Sequence, residues 1–407
     1  MRTDVETPHR AAVSLRGAVL AAYLFAAVMV STTLPTPLYA IYAARLSLKP
    51  LMITVIYAVY ALGVLAALLG FGRLADQVGR KPVVFAAVGF SAFSGVIFMT
   101  TSGLAGLFAG RFVSGVSAGL VTGAATAYIS ELYGDRARGG LLATVANMVG
   151  LGLGPLIAGV LADHAPDPTT LPYGVGVALL LPALLVAAAP DTIGRTGGMR
   201  EALRPQALGV PAQMRAPFAA AAIAGFVGFA LLGFITALVG NFLAKGLSDH
   251  SHQTAGVASC LVFAAAALAQ VGAGRLSNHH ASLLGLAVAP VGLGLITAAL
   301  PARSLTLFVV GALVSGAGVG FAFRAAIVSI TTRAPDERRG EVLATFFVIA
   351  YIGLTVPVVG TGVLVTDATL FIATVTLAIV VAVLAAVASG ILLRLAARAA
   401  PPLPLAD

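Results

Sequence analysis

The sequence predicts an all-α membrane protein of twelve transmembrane helices, arranged as two six-helix bundles related by a pseudo-two-fold axis. Three observations predict it: a composition nearly empty of charge, apolar tracts that fill most of the chain, and an internal repeat between its halves. Of 407 residues, 59% are hydrophobic and 10% charged, against about 25% charged in soluble chains. That excludes an ordinary soluble enzyme. Gly and Ala are heavily used and Trp is absent, a composition suited to helices that pack closely in lipid. The single cysteine, Cys260, rules out an internal disulfide and a cysteine-rich metal site.

A membrane-spanning helix needs roughly 20 apolar residues. Tracts bounded by charges, Pro or polar clusters place spans near 17–40, 51–72, 82–101, 104–129, 140–162, 173–190, 217–240, 254–274, 281–300, 305–330, 341–365 and 370–394. The first follows Arg2, Arg10 and Arg16 but is too long for a signal-peptide core and has no small-residue cleavage site, so it reads as a true span. Most loops are a handful of residues. The exception, 191–216, carries Gly194, Gly197, Gly198, Pro205, Pro211 and four arginines, and reads as a linker between an N-terminal bundle, 1–190, and a C-terminal one, 217–407.

With strict alternation of the spans, eighteen Lys and Arg fall on the side of the two termini, four (Arg45, Lys49, Lys245 and Arg303) on the other, and two (Arg111 and Arg324) within spans 4 and 10. Such a bias predicts both termini in the cytoplasm, and the chain is expected in the plasma (inner) membrane. Once the charges are sorted in this way, the net charge of +9 leaves no basic patch for nucleic acid.

At an offset near 201, Val113, Ser114, Gly115 and Gly119 align with Val314, Ser315, Gly316 and Gly320. Arg138, Gly139, Leu142, Ala143 and Thr144 align with Arg339, Gly340, Leu343, Ala344 and Thr345. Gly72–Asp76 echoes Gly274–Asn278. Tandem units of the same orientation are the mark of a parallel repeat about an axis along the membrane normal, able to rock around a central cavity.

Between spans 2 and 3 runs Gly72-Arg73-Leu74-Ala75-Asp76-Gln77-Val78-Gly79-Arg80-Lys81-Pro82. Gly72 and Asp76 share a helical face, Gly79 suits a left-handed helix end, and Pro82 suits a first turn. This stretch resembles the loop signature of the major facilitator superfamily. Arg111-Phe112-Val113-Ser114-Gly115 in span 4 is similar to that family's arginine motif. The resemblance implies that Asp76 caps the start of span 11 near Glu341 and that Arg80 or Arg73 reaches Glu131, with Lys81 at the headgroups. In span 5, Gly150, Gly152, Gly154, Pro155 and Gly159 resemble the glycine-proline motif of the drug and metabolite:proton antiporters. Gly150, Gly154 and approximately Gly159 are expected on one close-packing face, with a kink at Pro155.

A charge deep in a span is costly and marks function by default, so Arg111 and Arg324 head the substrate and coupling candidates, Arg111 first. Tyr39, Tyr57, Asn147 and Gln270 would give the cavity an amphipathic lining. All fifteen acids fall near span ends, in loops or in the tails, so no mid-membrane carboxylate is available to carry a proton. The pairs His250/His252 and His279/His280 lack accompanying carboxylate or cysteine clusters and read as solvated loop residues, not metal ligands. There is no phosphate-binding Gly-x-x-x-x-Gly-Lys motif, and no cofactor or catalytic residue is implied. The expected function is secondary transport, proton-coupled export of small hydrophobic or amphipathic compounds by alternating access, with lipid and substrate as partners and a monomer sufficient. The alternatives are an uptake permease or a non-transporting membrane sensor.

Overall fold

A computed structural model describes residues 13–101, 103–192 and 205–399. Arg2, Arg10, Arg195, Arg200 and Arg204, with Gly194, Gly197 and Gly198, lie outside the described residues. Among those described, twelve helices are long and apolar enough to cross a membrane: span 1 Leu15–Arg45, span 2 Pro50–Phe71, span 3 Arg80–Thr100, span 4 Leu104–Tyr133, span 5 Arg136–His164, span 6 Leu171–Ala188, span 7 Ala212–Gly246, span 8 His252–Arg275, span 9 Asn278–Ala302, span 10 Leu305–Arg333, span 11 Asp336–Asp367 and span 12 Leu370–Arg398. Several outrun the apolar tracts by a turn, because terminal Arg, Lys and Asp continue the helix while their charged heads reach the interface.

Proline stands inside spans 5, 9 and 11, at Pro155, Pro290, Pro301 and Pro357, and marks changes of helix in spans 1 and 6. Span 1 is two segments, Leu15–Thr33 and Pro35–Arg45, with Pro35 opening the second. Span 6 tightens into a 3-10 helix over Pro182–Ala188, since Pro182 supplies no backbone donor. In span 5, Pro155 deprives the carbonyl of Leu151 of its usual donor, and the hydroxyl of Thr33 in span 1 takes that place at 3.0 Å. Within a membrane such a freed carbonyl must find an internal partner. Span 7 ends in a π-turn over Phe242–Gly246.

Pairings recur six spans apart. Spans 1 and 5, 2 and 4, 3 and 4, and 3 and 6 pack together, as do spans 7 and 11, 8 and 10, 9 and 10, and 9 and 12. The repeat is visible atom by atom. A Cβ on Gly115 would strike the carbonyl of Tyr60, and one on Gly316 that of Val262; Gly119 lies against Val64 and Ala67, and Gly320 against Ala266 and Ala269. Small residues at these positions let span 4 lie on span 2, and span 10 on span 8, backbone to backbone. The two halves meet chiefly where span 5 packs on span 8 and span 2 on span 11.

Candidate functional site

Twelve crossings return the chain to the side on which it started, here called the terminal face; the opposite side is the distal face. At the terminal face, Gly79 has φ 106°, a conformation natural to glycine, and turns the short helix Leu74–Val78 into span 3. This turn delivers Arg80, whose side chain is 11% exposed, to Glu131 at the end of span 4, with Nη2 to Oε1 at 3.0 Å. Its Nη1 reaches Asp76 Oδ1 at 2.5 Å. The backbone N–H of Arg80 donates to Asp191 at 3.2 Å, and Thr192 donates to Glu131. Lys81 Nζ donates to the carbonyls of Ala187 and Ala189 at 2.8 and 2.7 Å, a cation set on the negative end of span 6. Arg73 and Gly72 are exposed.

The start of span 11 is met by the incoming linker. Gly209 N donates to Thr345 Oγ1 at 3.0 Å, and a Cβ on Gly209 would lie 3.3 Å from Glu341 Oε2. Gln206 N donates to Leu69 O at the end of span 2, at 2.7 Å, and its Cβ lies 3.6 Å from one built on Gly72. Chain 206–209 thus lies between the two helix ends that the loop motif was expected to join.

Toward the distal face the seam closes on backbone. A Cβ on Gly159 would strike the carbonyl of His252, one on Gly256 that of Pro155, and one on Gly362 the hydroxyl of Thr54. Gly150 and Gly154 instead face span 1, against Ala26 and Val30. The expectation of a single glycine face is corrected here: nine residues advance a helix by two and a half turns, so Gly159 points opposite to Gly150. Gly152, facing Phe263 and Cys260 of span 8, belongs with Gly159. Asp163 completes this seam, accepting from Gln253 N at 2.9 Å, His252 N at 3.1 Å and Ser251 Oγ at 2.8 Å, with His252 Nδ1 at 2.7 Å. His252, expected in a solvated loop, heads span 8. Nothing local in the sequence announces this contact, because about ninety residues separate its partners.

Arg111 lies in the distal half of span 4, 3% exposed. Its Nη1 donates to Thr32 O at 2.9 Å, at the C-terminal end of the helix that Pro35 interrupts, where carbonyls favour a cation. Its guanidinium stands 4.6 Å from the ring of Tyr60 and 5.5 Å from that of Tyr57. Tyr57 packs edge-on to Tyr39 at 6.5 Å and shares a 2.7 Å hydrogen bond with Thr236 of span 7. Arg111 Nε, Tyr39 Oη and Asn147 Oδ1 are buried without partners. A cavity of about 450 Å³ opens beside Tyr39, lined by Arg45, Asn241, Lys245, Asp249 and His250 among others.

Arg324 and Gln270 sit elsewhere. Arg324 Nη1 donates to the Gln270 carbonyl at 2.6 Å, in the last turns of span 8 at the terminal face. There it satisfies a helix C-terminus, far along the membrane normal from Arg111.

The model of the Major Facilitator Superfamily matches residues 19–248. Multidrug resistance protein MdtL of Citrobacter koseri is 30% identical over 161 residues, 38% of this chain and 41% of that protein. The class C tetracycline resistance protein of Escherichia coli is 36% identical over 117 residues, 28% of this chain and 29% of that one. The matched stretch thus spans less than half of each relative. Among solved structures, a bacterial homologue of the human lysosomal transporter Spinster, in an inward-facing unoccupied conformation, superposes with TM-score 0.73 at 16% identity, covering 95% of this chain and 98% of that one. The nucleoside transporter NupG gives 0.70 at 14%, covering 92% and 99%. These likenesses show the fold; the family match over more than half the residues, on a twelve-span repeat, shows that the chain belongs to the major facilitator superfamily.

Proposed function

We propose that this protein is a proton-driven exporter of small hydrophobic or amphipathic compounds, working as a monomer in the plasma membrane with its terminal face in the cytoplasm. The observation that carries the export reading is the Gly150–Gly159 run of span 5, which resembles the glycine-proline motif of the drug and metabolite:proton antiporters and seats span 5 on span 8 at Gly152 and Gly159. Rocking the bundles apart along that seam would release cargo on the distal side. The resemblance of MdtL and the tetracycline resistance protein supports the same direction. The terminal-face carboxylates Asp76 and Glu131, gathered on Arg80, are the groups assigned to proton coupling, since the described acids lie at span ends or in the connections between spans.

The test is flux in proteoliposomes with and without a pH gradient, using a fluorescent amphipathic dye. Export that accelerates under the gradient, and that falls in Glu131→Gln, is expected. Equal rates under both conditions overturn the antiport.

A further inference from the structure

We propose that the compound carried presents an anionic group, a carboxylate or similar oxyanion, to Arg111 and Tyr39. This rests on the transport reading and names the substrate class for the same pathway.

The proposal follows from what surrounds the guanidinium. Arginine keeps its charge at any physiological pH and offers five N–H donors. Around Arg111 stand one carbonyl, Thr32 O, and two aromatic rings. These hold the group in place, yet Nε has no acceptor. Tyr39 packs edge-on to Tyr57, and its Oη is buried and unpartnered too. Two buried donors left open beside Tyr57 call for an acceptor, and a buried cation calls for a negative one.

Among the described residues, no acid forms an ion pair with Arg111. Asp76 and Glu131 sit on Arg80, Asp135 on Arg138, Asp163 on His252, Asp336 on Arg339 and Glu341 on Arg338, and Asp249, which lines the cavity beside Tyr39, accepts from the backbone N–H of Ser251 at 2.9 Å. All the described acids lie at the ends of spans or in the connections between them. A ligand carboxylate would therefore be the counter-ion of Arg111, accepting from Nε and from the Tyr39 hydroxyl. A ligand cation would meet an uncompensated like charge, and specificity arises as much from that repulsion as from the new contact. The apolar body of the ligand has Tyr57 and Tyr60 to lie on. Because Tyr57 is also bonded to Thr236 of the other half, filling this site acts directly on a contact that crosses the seam.

Binding to the purified full-length chain in detergent tests this without any flux, so a failed export assay and a failed ligand class are separable. The probes are three isosteres, 4-phenylbutyrate, 4-phenylbutyramide and 4-phenylbutylamine, with sodium chloride as the inorganic arm; the readouts are melting temperature and a direct titration. Expected is binding of the carboxylate at least ten-fold tighter than the amide, and no binding of the amine. In Tyr39→Phe the carboxylate weakens several-fold while the amide is unchanged. In Arg111→Gln the preference vanishes, and Arg111→Lys, which keeps the charge, restores part of it. The proposal is overturned by equal binding of carboxylate and amide, by preference for the amine, by no carboxylate binding, or by a preference that survives Arg111→Gln. A chloride effect as large as the carboxylate's identifies an inorganic occupant and overturns it as well.

Discussion

Asp163 and His252 meet across the seam between the bundles, Oδ1 to Nδ1 at 2.7 Å. The same carboxylate takes the first backbone N–H groups of span 8, which have no partners within their own helix. One side chain from the end of span 5 thus closes the exposed start of span 8, and these bonds must break for the distal seam to part.

Removing that clasp should favour opening. In Asp163→Ala, Cys260, the single native thiol, half-buried in this seam beside Gly152, should react several-fold faster with a membrane-impermeant maleimide added at the distal side. An unchanged labelling rate would show that the backbone packing alone keeps the seam shut.

The two glycine faces of span 5 should separate in experiment. Gly150→Leu forces span 5 off span 1 within its own bundle and should lower the melting temperature strongly, as overpacking of a filled site costs about 1–3 kcal/mol or more. Gly159→Leu wedges the seam between bundles; it should accelerate Cys260 labelling more than it lowers the melting temperature. Identical behaviour of the two variants would contradict the assignment of opposite faces.

Thr33→Val should cost about 1–3 kcal/mol, the penalty of a buried acceptor left unmade, because the Leu151 carbonyl then has neither a backbone donor nor the hydroxyl. Combined with Pro155→Ala, which restores the backbone N–H, the penalty should shrink. A double-mutant cycle on thermal stability reads the coupling, and strict additivity would refute it.

Glu131→Gln should destabilise the terminal face by on the order of 1–3 kcal/mol, since Arg80 is largely buried and loses a charge-assisted partner. Arg73→Gln, altering an exposed residue in the same loop, should change stability by no more than about 0.5 kcal/mol. Comparing the melting temperatures of the two variants checks both.

The spans were legible because a membrane helix writes its requirement locally, as apolar length bounded by charge. The repeat was legible because the glycines that let span 4 lie on span 2 recur in span 10 for the same steric reason. Pairing of Arg80 with Glu131 was among the expectations, on a motif that includes the glycine needed for its turn. The Asp163 clasp and the Thr236 bond to Tyr57 were not legible, since both join residues far apart in sequence and neither acceptor stands in a patterned stretch. Arg324 shows a further limit: an intramembrane arginine reads the same whether it faces a cavity or ends a neighbouring helix, and only the Gln270 carbonyl distinguishes them.

The short chain between Gln206 and Gly209 is fastened at both ends, to Leu69 of one bundle and Thr345 of the other. Three residues reach about 10 Å when fully extended. It therefore acts as a leash: while both fastenings hold, it limits how far the terminal ends of spans 2 and 11 can swing apart. Any wider gape requires that one knot be untied first.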